Sequence, residues 1–224
     1  MDRRSYITIL VKIVFLIPVM ALIMFLPAGT WYWPEAYLFV ATLLVFFLAS
    51  MFYLGRHDPS LLKKRSKMKP EKGWDMAFTV FSTIMFLSIL PLSGMDAVRF
   101  GWSSMPLELK AVGFVVLSLS LIGVFLVMRE NTYLFRTVKV QKGQKVIDTG
   151  PYSIVRHPMY SSFIAMMIAL PLALGSYYSL IPSVLMVISI IARTVMEDRT
   201  LHKELKGYGE YAKKTRYRLF PGLW

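Results

Sequence analysis

The sequence contains no cysteine, which excludes disulfide bonds, zinc–thiolate sites and thiol nucleophiles. It also lacks a G-x-S-x-G nucleophile elbow, an H-E-x-x-H zinc motif, a P-loop and a G-x-G-x-x-G dinucleotide fingerprint. Its three histidines, His57, His157 and His202, do not have metal-ligand spacing, so no metal site is predicted. Acidic residues are scarce, with 13 aspartates and glutamates against 26 lysines and arginines.

Apolar residues, in contrast, make up 56% of the 224 positions, whereas soluble proteins have about 45–50%. Runs of about 20 apolar residues recur, which is the length that crosses a hydrocarbon core as a helix. The sequence therefore predicts an all-α polytopic membrane bundle with about six transmembrane helices. The predicted helices cover approximately residues 6–26, 35–54, 75–92, 106–128, 158–174 and 180–192, the last continuing into water to about residue 206.

The basic residues are distributed asymmetrically between the predicted loops. If the N-terminus is cytoplasmic, every lysine and arginine except Arg99 and Lys110 falls on the cytoplasmic side. This asymmetry favours six spans with both termini in the cytoplasm, and we expect the cytoplasmic membrane of a prokaryote. It also accounts for the net charge of +13 without a nucleic-acid partner.

The chain divides into two predicted regions. Residues 1–128 form an N-terminal four-helix transmembrane region, in which Gly113 and Gly123 allow close helix packing. Residues 129–224 form a core made of a polar segment, a helical hairpin and a charged, aromatic tail. The hairpin is predicted because only residues 175–178 separate its two apolar stretches.

The stretch 141–160 is the longest polar run and the first candidate for a site. Gly150-Pro151 indicates a turn, and Arg156-His157-Pro158 precedes an apolar helix. Amide groups at such a helix start favour an anionic ligand group, and Arg156 adds a positive charge. An alternative interpretation is that Arg156 is a membrane-boundary anchor and His157 a helix cap.

A second candidate cluster lies where the last predicted helix leaves the membrane. Arg193 and Glu197 are four residues apart and therefore share one helix face. They are either an ordinary boundary salt bridge or a pair that binds the two charges of a ligand and a substrate. In the tail, Tyr208, Tyr211 and Tyr217 alternate with basic residues, which we interpret as a lipid-interface anchor rather than a nucleobase-stacking surface.

Several of these motifs occur together in one known family. The run Gly150-Pro151-Tyr152 to Arg156-His157-Pro158-Met159-Tyr160, then Glu197-Asp198-x-x-Leu201, Tyr208-x-x-Tyr211 and Arg218-Leu219-x-Pro221, resembles the isoprenylcysteine carboxyl methyltransferases. That family is related to the membrane phospholipid N-methyltransferases. The resemblance spans about residues 130–224 and implies a cytoplasmic site for S-adenosyl-L-methionine (AdoMet).

The resemblance implies a role for individual residues. Glu197 would hold the amino group of AdoMet, and Arg193 would face the methyl acceptor. Gln144 stands where the family often has histidine, which alters that contact. The implied cofactor-binding residues, with Arg156 added for its charge, are Gln141, Gln144, Lys145, Val146, Ile147, Tyr152, Arg156, His157, Pro158, Met159, Tyr160 and Glu197.

The acceptor is expected to be a lipophilic small molecule, a prenylated substrate or a membrane lipid. A carboxylate needs no general base and would be oriented by Arg193, whereas an amine must lose a proton and would fit poorly beside this charge. An isoprenylcysteine-type carboxylate is therefore favoured. No oligomeric state is predicted.

Two other function classes compete with a methyltransferase. NADPH-dependent membrane sterol and lipid reductases share an R-H-P-x-Y stretch and a Y-R-x-x-P ending, but Glu197-Asp198 fits the methyltransferase pattern better. A non-catalytic membrane scaffold or a small-solute carrier is the other hypothesis. Transport is disfavoured, because a carrier places polar groups at the bilayer midplane and here they collect on one side.

Overall fold

The computed structural model describes residues 3–57, 73–131, 133 and 143–224, with side chains from Phe15 onward. Over these residues the chain forms seven α-helices and no strand, which confirms the predicted all-α class. Two short helical turns accompany them, a π-helical turn at Met95–Phe100 and a 3-10 turn at Gly150–Ser153. The helices are α1 Arg3–Ala28, α2 Pro34–His57, α3 Gly73–Gly94, α4 Leu107–Glu130, α5 Pro158–Leu174, α6 Leu180–Glu204 and α7 Tyr208–Lys214.

Four helices are long and apolar enough to cross a membrane, so this is a multi-pass membrane protein. They are α2, α3 together with its π-helical end, α4 and α6. Helix α5 has 17 residues and is about 25 Å long, slightly less than the ~30 Å hydrocarbon core. The part of α1 with described side chains, Phe15–Ala28, is also a shorter apolar helix. The count of six spans therefore stays a prediction.

Helices α4 and α5 form the most extensive contact of the bundle. A methyl group added at Gly113 would lie 2.4 Å from the backbone nitrogen of Ala173, and one at Gly123 would lie 2.5 Å from the Ser162 hydroxyl. The close packing predicted at both glycines is confirmed. Since residue numbers rise along α4 as they fall along α5, the two helices are antiparallel.

Helices α3 and α6 are antiparallel as well. At one end the Ser93 hydroxyl donates to that of Ser179 over 2.9 Å, and at the other Arg193 donates to Asp75. Asp96 fixes the turn before α6 by accepting from the Ser176 hydroxyl at 2.5 Å. The α5–α6 hairpin is confirmed as well, because Arg193 in the latter part of α6 donates to the Tyr160 hydroxyl at the start of α5. The third predicted helix ends near residue 92, whereas α3 reaches Gly94 and continues as the π-helical turn that contains Asp96.

This topology brings several helix ends to one side of the bundle, which we call the site end. It contains the start of α3, the end of α4, the start of α5, the end of α6 and helix α7. The division of the chain at residues 128 and 129 stays a prediction.

Candidate functional site

A cavity of about 640 Å³ lies at the site end. Its volume is within the ~300–1,000 Å³ of small-molecule sites. The structure brings every predicted site residue that it describes to the wall of this one cavity, while Gln141 lies outside the described residues. The lining residues that the sequence predicted are Gln144, Lys145, Val146, Ile147, Tyr152, Arg156, His157, Pro158, Met159, Tyr160, Arg193 and Glu197.

The cavity has a polar part and an apolar part. On α6 its wall runs from Met186 and Ile190 within the bundle, through Arg193, to Glu197, and it continues to Leu205 just after the helix. Helix α3 completes the apolar part, and its lining residues are absent from the predicted set. They are the apolar Phe78, Phe86 and Leu87 and, between them, the hydroxyl-bearing Thr79, Ser82 and Thr83.

Arg193 lies where the two parts meet and is buried, with 5% of its surface exposed. Its Nε donates to the Tyr160 hydroxyl at 2.7 Å, and that hydroxyl donates to Oε2 of Glu197 at 2.5 Å. Its Nη1 donates to Oδ1 of Asp75, and its Cζ lies 4.3 Å from the centroid of the Phe78 ring. Arg193 and Glu197 thus belong to one hydrogen-bonded network on the cavity wall.

Asp75 is absent from the predicted site residues, because the sequence indicates only that a helix begins there. The sequence nevertheless contains a feature that points to Asp75. Asp75 is the one carboxylate in the first turn of α3, ahead of a long uncharged stretch, and ionisable groups at the edge of a membrane helix often serve function. The sequence does not show, however, that its partner is a residue 118 positions away.

A second network is centred on Asp198, which is 3% exposed. Its carboxylate accepts from Nε of Arg156 at 2.9 Å, from Nε of Arg218 at 3.0 Å and from the Tyr208 hydroxyl at 2.9 Å. The ring of His157 lies against it as well, with Nε2 at 3.2 Å. A buried carboxylate with this many donors is compensated, so Asp198 fastens the tail to the start of α5.

The backbone reinforces this attachment. The amides of Arg156 and His157 donate to the carbonyls of Tyr217 and Arg218, both at 2.9 Å. Nη1 of Arg156 also donates to the carbonyls of Thr215 and Arg216. The guanidinium of Arg156 therefore binds Asp198 and the tail rather than lipid, and its assignment to the cofactor stays a prediction. His157 occupies the N-cap position of α5, but its side chain makes no capping hydrogen bond.

The tail tyrosines close the cavity. Tyr208 and Tyr211 are 3% and 5% exposed, and the Tyr211 hydroxyl donates to the Tyr152 carbonyl at 2.7 Å. Burial raises the pKa of each of the Tyr152, Tyr208 and Tyr211 phenols above the usual phenol value. Each phenol therefore stays neutral well above physiological pH. The interpretation of the tail as a lipid anchor is wrong for Tyr208 and Tyr211, which pack inside the protein.

Residues 109–208 match the phospholipid methyltransferase family. The match is to a family of membrane methyltransferases. It covers 100 of the 224 residues, from the first turn of α4 to the start of α7, and includes Arg193, Glu197 and Asp198. It confirms the resemblance to membrane methyltransferases that the C-terminal motifs indicate. The matched residues do not include α3 and therefore do not include Asp75. A comparison with curated proteins gave no match.

Proposed function

We propose that this protein is an AdoMet-dependent methyltransferase that modifies a lipophilic acceptor at the membrane. One observation carries the proposal. The residues that the family resemblance assigns to the cofactor line a single cavity, and this cavity continues into apolar space between α3 and α6. A polar compartment joined to an apolar one suits a charged cofactor and an acceptor with a hydrocarbon chain.

The residues present fit the cofactor. AdoMet, when bound, would supply a methyl group on a sulfonium sulfur: the acceptor would bond to the methyl carbon while the carbon–sulfur bond breaks and the neutral thioether leaves. The carboxylate of Glu197 suits the ammonium of AdoMet, and Val146, Ile147 and Tyr152 provide apolar and aromatic surface for the adenine. Because Arg156 is bound to Asp198, Lys145 is the better partner for the carboxylate of AdoMet.

The remaining work of the site is positioning. An in-line displacement depends on alignment of the reacting atoms, and correct orientation supplies a large part of the rate enhancement. Arg193, fixed by its hydrogen bond to Tyr160, is placed to orient an acceptor group at the mouth of the apolar part. A carboxylate acceptor arrives already ionised and needs no base. The first candidate acceptor is therefore an isoprenylcysteine-type carboxylate.

An amine lipid is the second candidate, and two observations favour it. The matched family is that of phospholipid methyltransferases. In addition, Arg193 is paired with Asp75, which reduces the repulsion that a bare guanidinium would exert on an ammonium. An amine must still lose a proton before it attacks.

Methyl transfer from labelled AdoMet distinguishes these acceptors. The purified protein in lipid nanodiscs is incubated with N-acetyl-S-farnesylcysteine or with phosphatidylethanolamine. We expect label in the lipid product. A methyl ester releases methanol in alkali, whereas an N-methyl group is stable, so one hydrolysis step identifies the accepting atom. Saturable NADPH binding, with no AdoMet binding and no labelled lipid, would refute the proposal in favour of the reductase alternative.

We also propose that the site end faces the cytoplasm of a prokaryotic cell, because it carries most of the basic residues. The absence of native cysteine makes this simple to test. We expect Lys213→Cys, whose side chain is 74% exposed, to react with a membrane-impermeant maleimide only after the cells are permeabilised. Glu108→Cys, exposed at the opposite end, should react in intact cells. The reverse pattern would show the opposite orientation.

A further inference from the structure

Asp75 is a buried acid that the family match does not include. It lies in the first turn of α3 and is 1% exposed. Its Oδ1 accepts a hydrogen bond from Nη1 of Arg193 on α6. Because an ion loses its hydration on burial, a carboxylate in this position needs a charged partner, and Arg193 provides it.

Helix α3 determines how the guanidinium of Arg193 is held. Phe78 lies three residues after Asp75 and therefore on the same face of the helix. Its ring centroid is 4.3 Å from Cζ of Arg193, while Tyr160 accepts from Nε on another side. The anion and the ring together fix the direction of a group that otherwise ends a long, flexible side chain.

The same contact changes the charge that an acceptor meets. Arg193 donates directly to Asp75. It also donates to the Tyr160 hydroxyl, which in turn donates to Glu197. A guanidinium has five N–H donors and can serve more than one carboxylate. An anionic acceptor must nevertheless share Arg193 with Asp75, so its binding is weaker than a lone guanidinium would allow. Asp75 thus orients Arg193 and moderates its attraction for anions.

We infer that Asp75 is a positioning residue for methyl transfer, acting through Arg193. It keeps the guanidinium directed at the acceptor and prevents an anionic acceptor from being bound too tightly before reaction. The inference rests on the proposed function, in which Arg193 faces the acceptor.

The variant Asp75→Asn separates binding from turnover. The carboxylate probe is N-acetyl-S-farnesylcysteine, and its Kd is measured in nanodiscs without AdoMet. We expect Asp75→Asn to bind this probe about tenfold more tightly, because Arg193 has lost its competing carboxylate. We expect kcat to fall about tenfold, because the neutral amide oxygen of asparagine holds the guanidinium less firmly than the carboxylate does. An acid with a merely structural role would not tighten probe binding when removed.

Further variants make the result decisive. Glu108→Gln, which removes an exposed acid at the opposite end of the bundle, should leave Kd and kcat unchanged. Asp75→Asn/Arg193→Gln should lose the tightening, because the guanidinium through which Asp75 acts is gone. If Asp75→Asn does not fold, Asp75→Glu keeps the charge but displaces it, and should lower kcat at an unchanged probe Kd.

Three results would overturn the inference. They are an unchanged or weaker probe Kd in Asp75→Asn, a double variant that still binds the probe more tightly than wild type, and wild-type kcat in Asp75→Glu. The probe Kd needs no AdoMet. A wild-type protein that transfers no methyl group would therefore refute the proposed function, while the probe Kd would still test Asp75.

Discussion

Glu197→Gln is expected to weaken AdoMet binding by at least about 30-fold. Removing one partner of a buried, hydrogen-bonded charge pair costs about 2–5 kcal/mol, and 1.4 kcal/mol corresponds to a factor of ten in Kd. Glutamine can still accept the hydrogen bond that Tyr160 donates to Oε2, so the cavity wall should keep its shape. Isothermal titration calorimetry of the purified variant measures the change directly.

The matched control is Glu108→Gln. Glu108 is an exposed glutamate in the first turn of α4, at the end of the bundle remote from the cavity. The same change of charge there should leave the AdoMet Kd as in wild type. If Glu197→Gln binds AdoMet with wild-type affinity, Glu197 does not hold the cofactor, and the assignment of the polar part of the cavity to AdoMet is wrong.

Arg193→Lys is expected to lower kcat roughly 100-fold with little change in the Kd of AdoMet. Lysine keeps a positive charge near Asp75, so it avoids leaving a buried carboxylate unpaired. It cannot reproduce the planar group that contacts Asp75, Tyr160 and the Phe78 ring together. A displacement of about 1 Å in a positioning group costs about a hundredfold in rate.

Single-turnover kinetics with labelled AdoMet gives the rate of the chemical step, and calorimetry gives the cofactor Kd. Arg199→Lys is the control, because Arg199 is exposed on the same helix and should tolerate the change in both measurements. Loss of AdoMet binding together with turnover in Arg193→Lys would place Arg193 in the cofactor site. Unchanged turnover in Arg193→Lys would show that Arg193 does not position the acceptor.

The helices were largely predictable, because their signal is local. An apolar run of about 20 residues predicts a membrane helix wherever it lies in a chain. Gly113 and Gly123 likewise indicated that α4 packs closely against a neighbouring helix, and the contact with α5 confirms this. The ends of α3 were less clear, since Asp96 and Arg99 indicate a loop by composition although the backbone continues as a π-helical turn.

The polar part of the cavity was predictable for a different reason. Its residues are concentrated in one segment and in one turn of α6, and they resemble a known family pattern. The structure accordingly brings Val146, His157 and Glu197 to the same cavity. Whether they bind AdoMet stays a prediction.

The contacts made by α3 and by the tail were not predictable, because they depend on tertiary packing. The pairing of Asp75 with Arg193 requires that α3 and α6 be antiparallel neighbours, which no local pattern specifies. Tyr208 and Tyr211 were assigned to the lipid interface on composition. Their burial against Asp198 and Tyr152 depends on how the tail folds back over α5.

Photo-crosslinking of labelled AdoMet to the purified wild-type protein tests the central claim most directly, namely that this cavity is the cofactor site. After ultraviolet irradiation and proteolysis, mass spectrometry locates the label. We predict label in peptides covering residues 144–160 and 197–211, with competition by unlabelled AdoMet and none by NADPH. Label confined to peptides away from the cavity, or labelling that NADPH suppresses and AdoMet does not, would contradict the account.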